Sequence, residues 1–222
     1  MPRIALIHAV SVAMRPIHEA FERLWPEAQL TNLLEDSLSP DRAAERQLTP
    51  AMTARIEALA HYVAGTGAQG ILYTCSAFGP AIEKAAHDLA PLPVLKPNDA
   101  MFAEALRAGD RIGMVATFAP ACATMEEEFA EAAINIGCTA ARLETVLAAG
   151  AMTALRAGDE AAHDRLVAEA AGRLAHCDAV MLAHFSTSRA LPLAEARLAG
   201  AAPVLTAPGA AVRALRVAVD GG

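Results

Sequence analysis

A cysteine closes one strand-like run of this chain, and a histidine closes another. In "GILYTCSAFGP", residues 70–80, four apolar or small residues lead to Cys75; in "AVMLAHFSTS", residues 179–188, a similar run leads to His184. A thiol and an imidazole facing one substrate carbon suit proton transfer. One group removes a proton from one face, the other returns a proton to the opposite face, and the configuration inverts. A free thiol titrates at about 8.5, so a reactive Cys75 needs something that favours its thiolate. The backbone N–H groups that follow it, at Ser76 and Ala77, supply this if a helix begins there; a protonated histidine is the other source. Ser11, Ser76, Thr117, Ser186 and Thr187 fall at loop–helix junctions, where hydroxyls and neighbouring N–H groups can cradle a carboxylate. Each has a plainer reading. A cysteine packs as a small hydrophobe, a histidine bonds a backbone carbonyl, and Ser or Thr caps a helix.

These residues need strand ends to stand on. Short apolar runs at 3–8, 28–33, 70–74, 93–96, 111–115, 140–146, 178–183 and 203–206 read as strands. Helix-periodic segments lie between them, at about 15–24, 50–65, 78–89, 98–107, 119–136, 159–176 and 208–218. Thr49-Pro50 marks one helix start, Asn98 marks another, and Met52, Ile56, Leu59 and Val63 share a face. "EDSLSPD", 35–41, reads as a mobile loop. The alternation predicts parallel sheets covered by helices.

The two halves resemble each other. "RIALIHA" at 3 pairs with "RIGMVAT" at 111, "GILYTCSA" at 70 with "AVMLAHFS" at 179, and "PVLKPNDA" at 93 with "PVLTAPGA" at 203. The near-constant spacing predicts an α/β fold of two pseudo-symmetric lobes, each a roughly four-stranded parallel sheet flanked by helices. Residues 1–97 with 207–222 form the expected first lobe, carrying Cys75; residues 98–206 form the second, carrying His184. Ligands of open α/β sheets bind beyond the carboxyl ends of the strands. The active site is therefore expected in the cleft between the lobes, from the loops "HAVSVAM", "TCSAFG", "ATFAP" and "AHFSTS".

Composition excludes several classes. With a formal net charge of −7 and no basic run, nucleic acid is not an expected partner. Charged residues or histidine interrupt every apolar run before membrane-spanning length, and "MPRIALIHAV" lacks a cleavage site, so no membrane is expected and the cytoplasm is the expected compartment. The cysteines Cys75, Cys122, Cys138 and Cys177 form no CxxC pair; the last three read as core. Cys75, His8 and His184 lack zinc-ligand spacing, so no metal is expected. GxGxxG, GxxxxGK[ST] and GxSxG are absent. Lys96 follows a strand but has no phosphate-binding signal beside it for a Schiff-base cofactor. "MEEEF" at 125–129 reads as a solvated helix face.

"RIALIHA", "GILYTCSAFG", "RIGMVATFAP", "DAVMLAHFSTS" and "PVLTAPGAAV" together resemble the aspartate/glutamate/hydantoin racemase superfamily, with its cofactor-independent racemases, maleate isomerases and arylmalonate decarboxylases. The resemblance implies two like lobes, a small carboxylate substrate, no cofactor, and Cys75 as the first catalytic cysteine. A homo-oligomer is the expected assembly. The second catalytic cysteine of the racemases would fall at or beside His184, where "LAHFSTS" has none. A Cys/His racemase, a one-thiol decarboxylase or cis-trans isomerase of a small dicarboxylate, and a non-catalytic small-acid binding protein all remain open.

Overall fold

The run "RIALIH" forms strand β1 (Arg3–His8), whose last five residues are all buried, as a central parallel strand requires. The computed structural model describes residues 1–45, 47–119 and 122–221. After β1 come helix α1 (Met14–Leu24), β2 (Gln29–Leu34), α2 (Leu38–Ala44), α3 (Pro50–Gly65), β3 (Gly70–Tyr73), α4 (Gly79–Asp88) and β4 (Val94–Leu95). Then follow α5 (Asp99–Ala108), β5 (Arg111–Ala116), α6 (Cys122–Ile136), β6 (Arg142–Leu147), α7 (Ala151–Arg156), α8 (Glu160–Gly172), β7 (Ala179–Leu182), α9 (Leu191–Leu198), β8 (Val204–Thr206) and α10 (Ala207–Asp220).

The strands make two four-stranded parallel sheets with one topology, β2-β1-β3-β4 and β6-β5-β7-β8. The chain divides into unit 1, Met1–Asn98 with Ala211–Gly222, and unit 2, Asp99–Ala210. The sequence repeat is a repeat of register: Ile4 pairs with Gly70 in one sheet and Ile112 with Ala179 in the other. The inner strands β3 and β7 are fully buried, whereas the edge strands β2 and β6 carry exposed residues along their length. Unit 1 packs Ile71 and Tyr73 against Ile56, Ala60, Ile82 and Phe78. Unit 2 packs Val180 and Leu182 against Val167, Ala171, Leu174 and Ala194. Among the described residues no helix is long and apolar enough to cross a membrane.

Several expectations need correction. The segment expected to be a mobile loop at 35–41 instead contains the start of α2. Arg55 on α3 holds it, pairing with Glu35 and Asp41 and donating to the Ser37 hydroxyl. The polar residues that suggested a loop are the acceptors that seat the helix. The helix expected over 159–176 ends at Gly172, followed by a turn. In the helix expected over 119–136, residues 120 and 121 lie outside the described residues, and α6 runs from Cys122. The short helices α7 and α9 were not among those expected. Cys177 is buried core, but Cys122 and Cys138 are only half-buried.

Helix α3 shows how local chemistry sets a boundary. Thr49 is extended, its side chain accepts from the Met52 N–H, and Pro50 takes a position that needs no N–H. Met52, Ile56 and Val63 are buried as expected, with Ala60 completing the face and Leu59 half-buried. Thr49→Ala is expected to lower unfolding stability by ~1 kcal/mol, the usual loss for an N-cap hydroxyl, as measured by urea denaturation. An unchanged midpoint would mean that the cap bond does not contribute.

Candidate functional site

In unit 1 the β1–β3 ladder ends with the Thr74 N–H donating to the Ile7 carbonyl. The next residue is Cys75, extended at φ −131 and ψ 126, and the chain then turns into a short 3-10 helix, Ser76–Phe78, that runs into α4. Cys75 thus occupies a cap position at the start of a helical run. The partial positive charge of such a terminus stabilises a thiolate formed there when the thiol gives up its proton. Cys75 and Ser76 are half-buried and Ala77 is exposed. Arg42 on α2 donates to the Ala77 carbonyl at 3.2 Å, so the corrected helix also steadies the cysteine loop.

Thr74, the residue before Cys75, belongs to a polar network that no sequence motif marked. His8, fully buried at the end of β1, has Nδ1 2.9 Å from the Thr74 hydroxyl and Nε2 3.0 Å from the Asn32 side-chain oxygen. His18 Nε2 reaches the same Asn32 oxygen at 2.8 Å. Burial pushes His8 below its ordinary value; the Asn32 bond opposes this and nearby His18 adds to it. A neutral His8 that donates through Nε2 leaves Nδ1 to accept from Thr74. Ser11, in the 3-10 turn after β1, is exposed.

Unit 2 repeats the geometry with different chemistry. The β5–β7 ladder ends with the Ala183 N–H on the Val115 carbonyl, and the next residue is His184. Its backbone lies at φ 70 and ψ 149, a region rarely adopted by residues with a Cβ. Its Nε2 is buried without a hydrogen-bond partner among the described residues, and burial pushes the imidazole below its ordinary value. Thr117 stands at the matching step beyond β5, buried, with its hydroxyl also lacking a described partner. Thr145 Oγ1 and His163 Nε2, away from these strand ends, are likewise buried without a described partner.

The remaining expected residues separate by role. Thr187 is fully buried, and its hydroxyl bonds the Ala183 and His184 carbonyls, which places it inside the turn that carries His184. Ser186 is half-buried in the 3-10 helix Phe185–Ala190. Arg189 closes that helix and ties it to α8 through Asp164 at 2.8 Å and Glu160 at 2.6 Å. No motif marked Arg189 or the His8–Thr74–Asn32–His18 chain, because their partners lie far apart in sequence. Lys96 is ion-paired with Glu83. Neither Cys75 nor His184 belongs to the single cluster of metal-ligating side chains among the described residues.

The model of the Asp/Glu/hydantoin racemase family matches residues 8–215, and the chain belongs to that family. No curated protein matches it. Allantoin racemase from Klebsiella pneumoniae has the same fold, with a TM-score of 0.75 at 18% identity over 100% of this chain and 89% of that one. Aspartate racemase from Picrophilus torridus superposes with a TM-score of 0.66 at 13% identity, over 100% of this chain and 94% of that one. A variant of arylmalonate decarboxylase in a sulfate-associated form gives 0.66 at 18% identity, over 100% and 94%.

Two predictions follow from the histidines. Both His8 and His184 are held below the ordinary value of 6.5. The unfolded chain therefore binds more protons than the folded one below that pH. Stability is full above 6.5 and declines as pH falls from there toward the depressed folded values, by up to ~1.4 kcal/mol per pH unit for each proton. Asp88, held below 3.8 by Lys84, and Asp178, held below 3.8 by Arg111, titrate beneath that window. Urea midpoints between pH 7 and 5 should fall, and less so in His8→Gln; a flat profile would contradict neutral buried histidines. Separately, His184→Gly should be about 1 kcal/mol more stable than His184→Ala, since both lose the imidazole but only glycine relieves strain of ~1–3 kcal/mol, against ~0.5–1 of added backbone entropy. A glycine variant less stable than the alanine variant would show that the backbone is not strained.

Proposed function

We propose that this chain is a cofactor-independent racemase or isomerase acting on a small carboxylate or related substrate, such as an amino acid or a hydantoin, by proton transfer at carbon. The observation that carries the reading is Cys75, placed in a family member at the carboxyl end of β3 where a helical run begins. Cys75 is one acid/base group and His184 its counterpart. With His184 favoured in its neutral form, one direction of turnover begins with the imidazole as base and the Cys75 thiol as acid. The imidazole takes the α-proton, the electron pair delocalises into the adjacent carboxylate or carbonyl, and the thiol proton is delivered to the opposite face. This leaves imidazolium and thiolate, the pair that runs the reverse direction. Thr117, Ser11, Ser76 and Ser186, with backbone N–H groups such as that of Ala77, are the proposed hold on the carboxylate; Thr187 shapes the turn that presents His184.

A one-thiol reading is kept because "LAHFSTS" has no cysteine at the second position. The test is a screen in deuterated water against amino acids, hydantoins and small dicarboxylates. Exchange at a stereocentre supports proton abstraction, and loss of carbon dioxide supports decarboxylation. Cys75→Ser should lower turnover at least ~10²-fold with the fold retained. His184→Asn should lower racemisation comparably while one-sided exchange survives; a change confined to KM would favour Cys75 acting alone. Turnover by Cys75→Ser within a few-fold of the unaltered chain would remove the thiol from the mechanism.

A further inference from the structure

Unit 2 carries a second constellation, at the opposite end of its sheet from His184. Glu144 on β6 and the adjacent pair His176–Cys177, just before β7, each offer a donor atom, and these atoms lie within 4.8 Å of one another. They line a small concavity of about 140 Å³ together with Arg111, Ile112, Arg142 and Leu143. From this geometry we infer that Glu144, His176 and Cys177 form a binding site for a zinc-like divalent transition-metal ion.

The ligand types define the ion class. A thiolate, an imidazole and a carboxylate suit a borderline-soft ion such as Zn²⁺, with water in the fourth position; hard Mg²⁺ and Ca²⁺ prefer oxygen alone. The positions are set by the fold. Glu144 pairs in register with Gly113 on β5. A Cβ at Gly113 would lie 2.9 Å from Leu174 Cδ1, so the glycine lets the turn after α8 settle against the sheet. That turn delivers His176 and Cys177. Cys177 is 5% exposed, while Glu144 and His176 face solvent, leaving an entry path.

Nearby cations are already engaged. Arg111 pairs with Asp178 at 2.8 Å, and Arg142 donates to the carbonyls of Thr139, Ala140 and Ala141. The site therefore presents a carboxylate and an ionisable thiol to a dication. His176 Nε2 now lies 2.9 Å from Glu144 Oε2, a hydrogen bond that the ion would replace. On binding, the Cys177 thiol proton leaves to solvent, and His176 coordinates through the Nε2 lone pair with its proton on Nδ1.

The experiment titrates the full chain with Co²⁺, following the near-ultraviolet thiolate-to-cobalt band, and with Zn²⁺ by calorimetry. One ion per chain is expected. Cys177→Ser should abolish the band, while Cys75→Ser should leave it. His176→Ala and Glu144→Gln, both at exposed positions, should each weaken Zn²⁺ binding at least ~10-fold, since even an outer partner of a ligand is worth that much. No band, a band that survives Cys177→Ser, or unchanged affinity in both exposed variants would overturn the site. Circular dichroism confirms that each variant is folded, so loss of binding is read on intact protein.

Discussion

Two backbone hydrogen bonds fix where Cys75 and His184 leave their sheets: Thr74 N–H to the Ile7 carbonyl in unit 1, and Ala183 N–H to the Val115 carbonyl in unit 2. Each is the last rung of a buried parallel ladder. A buried N–H needs its partner, so the chain can leave the sheet only after that rung. The first residue beyond the ladder is then Cys75 in one unit and His184 in the other. Shifting either register by one residue would exchange the faces of every strand side chain and place the thiol or imidazole elsewhere.

The equivalent positions are supported differently. Cys75 sits in relaxed extended backbone and packs against the apolar core of unit 1, while Thr74 just before it joins His8, Asn32 and His18 in one continuous chain of hydrogen bonds. His184 sits in strained backbone with an unpaired buried nitrogen. A cost of this kind persists only where the surroundings over-determine it. Here Thr187 ties down the turn from within, and Arg189 anchors it to Asp164 and Glu160 on α8. The two units thus share the ladder and differ in what stands at its end.

The two ends of the unit 2 sheet carry different clusters of polar side chains. At the carboxyl ends, Thr117 and His184 present buried polar atoms without described partners. At the amino ends, Glu144, His176 and Cys177 converge on the far side of the same core. Gly113 matters to the second cluster because its missing side chain sets how closely the turn after α8 approaches the sheet.

The sequence by itself determined the eight strands, their grouping into two like sheets, and the step at which Cys75 and His184 leave them. These are properties of local hydrophobic period and of a repeat, and both are written in consecutive residues. It also marked the start of α3, because a cap and a proline act within one turn. Tertiary structure decided what depends on partners distant in the chain. Arg55 made a helix of the polar segment 38–44, and His8 joined Thr74 and Asn32 in a network only because β1, β2 and β3 lie side by side. His184's strained backbone, the use of Thr187 within its own turn, and the meeting of Glu144 with His176 and Cys177 were equally invisible. A side chain's chemical type is local, but its burial, its partners and the cost of its conformation are set by whatever the fold packs against it.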